Sequence, residues 1–358
     1  MLKHIEPRTT NYGGANNGYR EGITIAGNIL VDIVKMIEKY PEKNMLVHIS
    51  ESVKAVGGCV PNTIINIAKM DPNVTLKALG KVGNDDNGKF LIEEMAKYGV
   101  DVRGVKVAEG KETSFDDVMT EKSTGARTFF LSCGINHEFG IEDIDVDALD
   151  CKIFHVGYIL LLGALDAEDE EYGTKMARLL HMVSQRGIKT SVDAVSEDSD
   201  RFKEKIIPAL KYSDYTIMNE IECCKVTGLS PRTAGNKINV ANIKATMEVF
   251  KAFGVREKVI VHCAEAGFLL DKSGEFVVVP SLKLPKGYIK GSVGAGDSFA
   301  AACLYGIDKG FDNKKLLEFA SAAAACNLTA TDSISGMKTR AEIEEMCGTF
   351  ERLKLDEI

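Results

Sequence analysis

The stretch Gly291–Gly306, GSVGAGDSFAAACLYG, joins a glycine turn to a run of small residues, with Asp297 where the turn passes into a helix. Glycines let backbone amides converge without side-chain obstruction, and a new helix offers unpaired N–H groups at the positive end of its dipole. A carboxylate in that first turn adds a base beside an anion site. For transfer of a phosphoryl group to a hydroxyl, amides at Gly294, Ala295 and Gly296 stabilise the moving charge while Asp297 takes the hydroxyl proton. General-base help of this kind is worth about 10²–10⁴-fold. The same residues also make a plain helix cap, so the motif alone leaves both readings open. It is not a dinucleotide fingerprint, because Phe299 stands where that turn needs Gly or Ala, and no G-x-x-x-x-G-K-[ST] loop occurs, since Lys81 precedes Val82 and Lys89 precedes Phe90.

Outward from this motif, short apolar runs alternate with longer amphipathic stretches, the pattern of βαβ units in a mostly parallel sheet. Strands are expected at Ile23–Ala26, Thr75–Leu79, Ile153–Val156, Lys189–Val192, Tyr215–Met218 and Val259–His262. Helices are expected at Asn62–Met70, Asn87–Tyr98, Tyr172–Arg186, Asn242–Phe253 and Lys314–Thr329. Segments 31–56 and 113–133 break the alternation; the second reads as two strands around a turn at Lys122–Gly125, and together they suggest a small β lid. The expected organisation is an N-terminal extension over 1–22, an α/β domain over 23–340 carrying the lid, and a helical tail over 341–358.

Composition narrows the function classes. A 358-residue chain with 45% hydrophobic and 27% charged residues is an ordinary globular sequence. A formal charge of -8 leaves no basic footprint for nucleic acid. The longest apolar stretch, Ile153–Leu165, falls short of the ~20 residues of a membrane span. The first twenty residues lack the apolar block of a secretory signal, so the cytoplasm is expected. The nine cysteines are odd in number and never spaced C-x-x-C, which speaks against a disulfide framework or a zinc site and for small buried side chains.

Other segments add polar groups suited to a hydroxyl-rich ligand. Gly57-Gly58-Cys59-Val60-Pro61-Asn62 opens a helix with two glycines and an amide, and Gly80–Gly88 supplies a polar turn after a strand. Asn219 and Glu222, three apart, would share one side of a short helix and hold a hydrated Mg²⁺. The order Gly57-Gly58…Asn62, Gly80-x-Val82-Gly83-x-Asp85-x-x-Gly88, Thr124-Gly125-x-Arg127, Asn219-x-x-Glu222 and Gly294-Ala295-Gly296-Asp297 resembles the ribokinase, or pfkB-type, family of carbohydrate kinases from about Thr24 to Thr331.

That resemblance implies a doubly wound α/β fold with a β lid, ATP and Mg²⁺ as cofactors, and a sugar or sugar-like substrate. It implies that Asp297 is the catalytic base and that the amides of the Gly294–Asp297 turn form the anion hole. Asn219 and Glu222 would organise Mg²⁺ and nucleotide phosphates, Asp32 would bind sugar hydroxyls with Asn62 and Gly58, and Asn327 would lie beside the adenine. Arg127, near the lid, is a candidate partner for an anionic substrate or phosphate.

Departures sharpen the expectations. The family block usually begins with an Asp that helps hold a monovalent cation; Gly291 stands there, preceded by Lys290, so potassium activation is expected to be weak or absent, with Lys290 supplying the charge. His262-Cys263-Ala264 replaces the nucleotide-loop Thr-x-Gly, making His262 and Ala264 candidate nucleotide contacts, His262 also reading as a packed structural residue. Asp193, at a strand's carboxyl edge, is either a ligand group or a cap, and Cys59 reads as packing. Two alternatives remain: a nucleoside kinase, for which Phe115, Phe129 and Phe130 speak, and a non-catalytic sugar-binding or regulatory protein. Exposed lid strands are expected to pair two copies into a dimer.

Overall fold

The computed structural model describes residues 20–124 and 126–354. The chain runs through β1 (Ile23–Gly27), β2 (Leu30–Ile37), β3 (Ile49–Gly57), α1 (Cys59–Met70), β4 (Leu76–Gly83), α2 (Asp86–Lys97), β5 (Asp101–Ala108), β6 (Phe115–Glu121) and β7 (Arg127–Ser132). It continues through β8 (Ile153–Ile159), the single turn α3 (Gly163–Asp166), the short pair β9 (Glu168–Asp169) and β10 (Gly173–Thr174), α4 (Lys175–Gln185), β11 (Lys189–Ala194), α5 (Phe202–Leu210), β12 (Tyr215–Asn219) and α6 (Glu220–Thr227). The remainder is α7 (Val240–Ala252), β13 (Lys258–His262), β14 (Ala266–Asp271), β15 (Phe276–Pro280), α8 (Ala295–Asp308), α9 (Asn313–Asn327) and α10 (Arg340–Thr349).

Nine strands form one sheet in the order β15-β14-β13-β12-β11-β8-β1-β4-β5. Its pairs are parallel from β13 to β5 and antiparallel from β13 to β15. The antiparallel edge follows from chain length: only Cys263–Glu265 separate β13 from β14, enough for a hairpin and far too few for a crossover helix. Strand alternation divides the interior into two layers. Ile217 and Ile260 face the core built with Ile64, Leu304 and Leu316, while their neighbours Met218 and Val261 face the core of Phe154, Leu180, Phe202 and Phe250. Both faces are therefore covered by helices, and the fold is the expected ribokinase-like α/β arrangement.

Four strands in the order β3-β2-β6-β7 make the lid. The turn between β6 and β7 spans 122–124; Gly125, the last residue of the expected turn, lies outside the described residues, as do 1–19 of the expected N-terminal extension and 355–358 of the expected tail. In the tail, α10 places Ile343 and Met346 in the same core as α9.

Some elements differ from the expectations. The α4 helix begins at Lys175 rather than Tyr172, because Thr174 is drawn into β10 and its side chain caps the helix by accepting from the Ala177 amide at 3.2 Å. The α5 helix and the strands β5, β14 and β15 were not among the expected elements, whereas α6 is the short helix expected at Asn219 and Glu222 and α10 lies in the expected helical tail; α6 has almost no apolar periodicity of its own. No helix among the described residues is long and apolar enough to cross a membrane.

The topology positions the site. β1 has β4 on one side and β8 on the other, so successive connections leave in opposite directions and open a crevice at the carboxyl ends of the strands. The ends of β1, β8, β11 and β12 all reach this edge, and the lid leaves from it through β2.

Candidate active site

The α8 helix starts where the GAGD motif predicts an anion site. Its N-cap, Gly294, has φ 71°, and a Cβ there would lie 2.4 Å from the Ser333 Cβ, so both backbone conformation and space demand glycine. Ser298 donates the first intrahelical bond, to the Gly294 carbonyl at 2.8 Å, and the Ala295 amide reaches the Ser292 carbonyl only at 3.4 Å. The amides of Gly296 and Asp297 precede the helical ladder and stand at its positive end.

Asp297 accepts from the Tyr158 hydroxyl at 2.5 Å on Oδ1 and from Asn62 Nδ2 at 2.9 Å on Oδ2. Burial pushes its pKa up to about 6; the Tyr158 and Asn62 donors pull it back down, and Asp193 raises it. Asn62 is itself oriented by the Ser333 hydroxyl, which donates to its Oδ1 at 2.6 Å, leaving the amide nitrogen for Asp297. Gly58 caps α1 with φ 85°, and a Cβ there would come 2.6 Å from the Asn28 carbonyl, which accepts from the Val60 amide at 3.0 Å. The Asn28 side chain in turn accepts from the Tyr158 amide at 3.2 Å. The end of β1 thus pins both elements that hold Asp297.

The lid contributes a pair of acids. Parallel pairing of β2 with β6 sets Asp32 beside Asp116, and a Cβ on Gly57 would sit 2.3 Å from Asp32 Oδ1. Burial, then Asp116 and Asp297, raise Asp32 well above the usual carboxylate range, while Arg127 lowers it. Burial and Asp117 push Asp116 up to about 6, and its Oδ1 is buried without a hydrogen-bond partner. Arg127 donates from Nη2 to the Thr331 carbonyl at 3.3 Å, and its Nε and Nη1 are buried without partners. A Cβ on Gly291 would lie 2.9 Å from Arg127 Nη2, so the cation over Gly291 is this guanidinium; Lys290, expected in that role, is exposed to solvent.

On the nucleotide side the expected residues are more tightly held than their sequence implied. Asn219 and Glu222 form a capping box: Asn219 accepts from the Ile221 and Glu222 amides, each at 2.9 Å, and its own amide donates to Glu222 Oε2 at 3.0 Å. Glu222 is buried, with Asn219 Nδ2 at 2.7 Å and the Ser196 hydroxyl at 2.9 Å on Oε1. Burial pushes its pKa up to about 8. The His262 ring lies 4.9 Å from Phe299, and desolvation pushes it down to about 4, so it is a neutral imidazole packed under Gly296. Ala264 is exposed in the β13–β14 turn. Asn327 is fully buried; its Nδ2 donates to the Val293 carbonyl at 2.5 Å and so anchors the glycine turn, while its Oδ1 is buried without a hydrogen-bond partner.

Sequence reasoning passed over Tyr158, Asp116, Ser333 and Asn28. None belongs to a motif; each acts through a partner more than 80 residues away in the chain, as Tyr158 does with Asp297.

The chain is similar to known proteins along most of its length. A nucleoside kinase of Methanocaldococcus jannaschii is 23% identical over 328 residues, 92% of this chain and 97% of that protein. Among solved structures, an Arabidopsis thaliana ribokinase complexed with ribose and ATP superposes with a TM-score of 0.73 at 20% identity, covering 92% of this chain and 99% of that one. A putative ribokinase II from E. coli, in complex with ATP and Mg²⁺, gives 0.72 at 21% identity over 92% and 99%. The family profile of pfkB carbohydrate kinases matches residues 21–340, nearly the whole described chain. The chain belongs to the pfkB family of carbohydrate kinases.

Proposed function

We propose that the protein transfers the γ-phosphoryl group of ATP to a hydroxyl of a sugar or sugar-like polyol, with Asp297 as general base. The observation that carries this is a carboxylate at the start of α8 whose two oxygens are held by Tyr158 and Asn62 while its pKa is about 6. Such a group is ionised at neutral pH yet basic enough to take a proton as the hydroxyl attacks.

The residues divide the work. Asn62 and Tyr158 orient Asp297; the Gly296 and Asp297 amides, with Ala295 and the Gly294 turn behind them, stabilise negative charge developing on the transferred group. Asp32 and Asp116 offer neighbouring acceptors for substrate hydroxyls, which favours a polyol over an apolar base in this part of the lid. Closing the lid excludes water that would compete as acceptor. Bound ATP supplies the phosphoryl group and Mg²⁺ neutralises its oxygens. The donor set suits that ion: Glu222 is a buried carboxylate whose contacts are neutral donors, so a hydrated Mg²⁺ nearby would supply the missing positive charge, with Asn219 holding Glu222 in place. Arg127 over Gly291 takes the position of a monovalent cation's charge. The exposed apolar lid residues Ile49, Val53, Phe129 and Phe130 suit pairing with the lid of a second copy.

The test is ADP release across a panel of sugars and nucleosides, for the native chain and Asp297→Asn. The variant is expected to lose about 10²–10⁴-fold in turnover while retaining sugar binding by calorimetry. A near-normal rate would refute the assignment, turnover of nucleosides alone would favour a nucleoside kinase, and binding without ADP release in the native chain would favour a regulatory protein.

A further inference from the structure

Behind Asp297, three chemically active side chains meet that the proposed reaction does not use. Cys59 opens α1, His155 lies on β8 and Asp193 on β11; their exposures are 0%, 0% and 5%. Cys59 Sγ lies 3.5 Å from His155 Nε2 and 3.9 Å from Asp193 Oδ2, and His155 Nε2 lies 3.4 Å from Asp193 Oδ2. As a hydrogen-bond network this is loose, since N–H···O bonds close at about 2.7–3.2 Å. As one face of a coordination tetrahedron it is close to ideal. Bonds of ~2.3 Å to thiolate sulfur, ~2.0 Å to imidazole nitrogen and ~2.1 Å to carboxylate oxygen at tetrahedral angles separate sulfur from nitrogen by about 3.5 Å, sulfur from oxygen by about 3.6 Å and nitrogen from oxygen by about 3.4 Å.

Two further features point to an occupant. Asp193 Oδ1 is buried with no hydrogen-bond partner, so the carboxylate has unused capacity at the cluster. The other imidazole nitrogen, His155 Nδ1, lies 3.0 Å from the Ser191 hydroxyl, which fixes the ring with Nε2 turned toward the other two donors. Space is kept by Gly157, where a Cβ would sit 1.8 Å from Asp193 Oδ1 and 2.8 Å from Cys59 Sγ.

We propose that Cys59, His155 and Asp193 bind one borderline-soft divalent ion of the zinc class, through one sulfur, one nitrogen and one oxygen donor, with a fourth position left for another ligand. A thiolate and an imidazole select Zn²⁺ or Co²⁺ over Mg²⁺, so this site is distinct from any that serves nucleotide phosphates. As the metal–sulfur bond forms, the Cys59 thiol proton leaves to solvent; the thiolate and the Asp193 carboxylate then balance the two charges of the ion. The ion staples α1 to β8 and β11. Because α1 carries Asn62 and β8 carries Tyr158, it stiffens the two elements that orient Asp297.

The test is dialysis of the purified full chain against Co²⁺ with Mg²⁺ in excess. One Co²⁺ per chain is expected, with a thiolate-to-cobalt charge-transfer band that Zn²⁺ abolishes by displacement. Cys59→Ser should lose the band and bind about 100-fold or more weakly, while Cys133→Ser, which alters an exposed thiol, keeps both. Absence of stoichiometric binding, or a band that survives Cys59→Ser, overturns the proposal. X-ray absorption on the Zn²⁺-loaded native chain needs no variant: one sulfur with nitrogen or oxygen neighbours supports the site, and a shell without sulfur overturns it.

Discussion

Replacing Tyr158 by Phe keeps the ring and removes only the hydroxyl that donates to Asp297 Oδ1 at 2.5 Å. A hydrogen bond to a charged group contributes about 1.5–3 kcal/mol, and ~1.4 kcal/mol corresponds to one pKa unit. The donor favours the ionised carboxylate, so its loss raises Asp297 further, from about 6 to roughly 7–8. A base must be deprotonated to act, and at pH 7 its ionised fraction falls from ~90% to between ~50% and ~10%. The acid limb of kcat/KM, which reports the free enzyme, is expected to move up by one to two units. The rate at pH 7 then falls about 2-fold to 10-fold and recovers near pH 9. The assay is coupled ADP release from pH 5 to pH 10 with the best sugar of the panel. An unmoved acid limb would refute the reasoning, and a loss equal at every pH would place the hydroxyl on the substrate instead of on Asp297.

Gly294→Ala should cost about 1–2 kcal/mol for the left-handed backbone, and more for the approach of 2.4 Å to Ser333, with most activity lost; an unchanged urea midpoint and full turnover would show that the turn tolerates a side chain. Turnover with and without added K⁺ should be equal, because the Arg127 guanidinium stands over Gly291; strong stimulation would remove that role. Light scattering should find a dimer that the double change Phe129→Ser, Phe130→Ser converts to monomers, both rings being more than half exposed at 55% and 53%; a monomeric native chain would sink lid pairing.

Much of the fold was legible because its causes are local. Buried parallel strands are short apolar runs, as in Ile23–Gly27 and Tyr215–Asn219, and the long helices repeat apolar residues at three and four. The lid declared itself by breaking that alternation. Helix α6 was legible only through the Asn219 and Glu222 pair that caps it, since it has almost no apolar period. Expectations for single side chains failed where tertiary contacts reassign them: Lys290 was nearest in sequence to the missing acid, yet Arg127, more than 160 residues earlier, occupies the space because β7 brings it over Gly291. The bond from Asn327 Nδ2 to the Val293 carbonyl is likewise a tertiary contact that no local pattern shows.

By itself the sequence determined the alternation of strands and helices, the glycine turn at Gly294 and the carboxylate at Asp297, because backbone freedom, capping and apolar period act over a few neighbouring residues. Only the tertiary structure decided what surrounds that carboxylate. Tyr158, Asn62, Asp32 and Asp116 come from different strands and helices, as do Cys59, His155 and Asp193. Their chemistry arises from burial and from distances of a few ångström between residues that have no spacing rule in the chain.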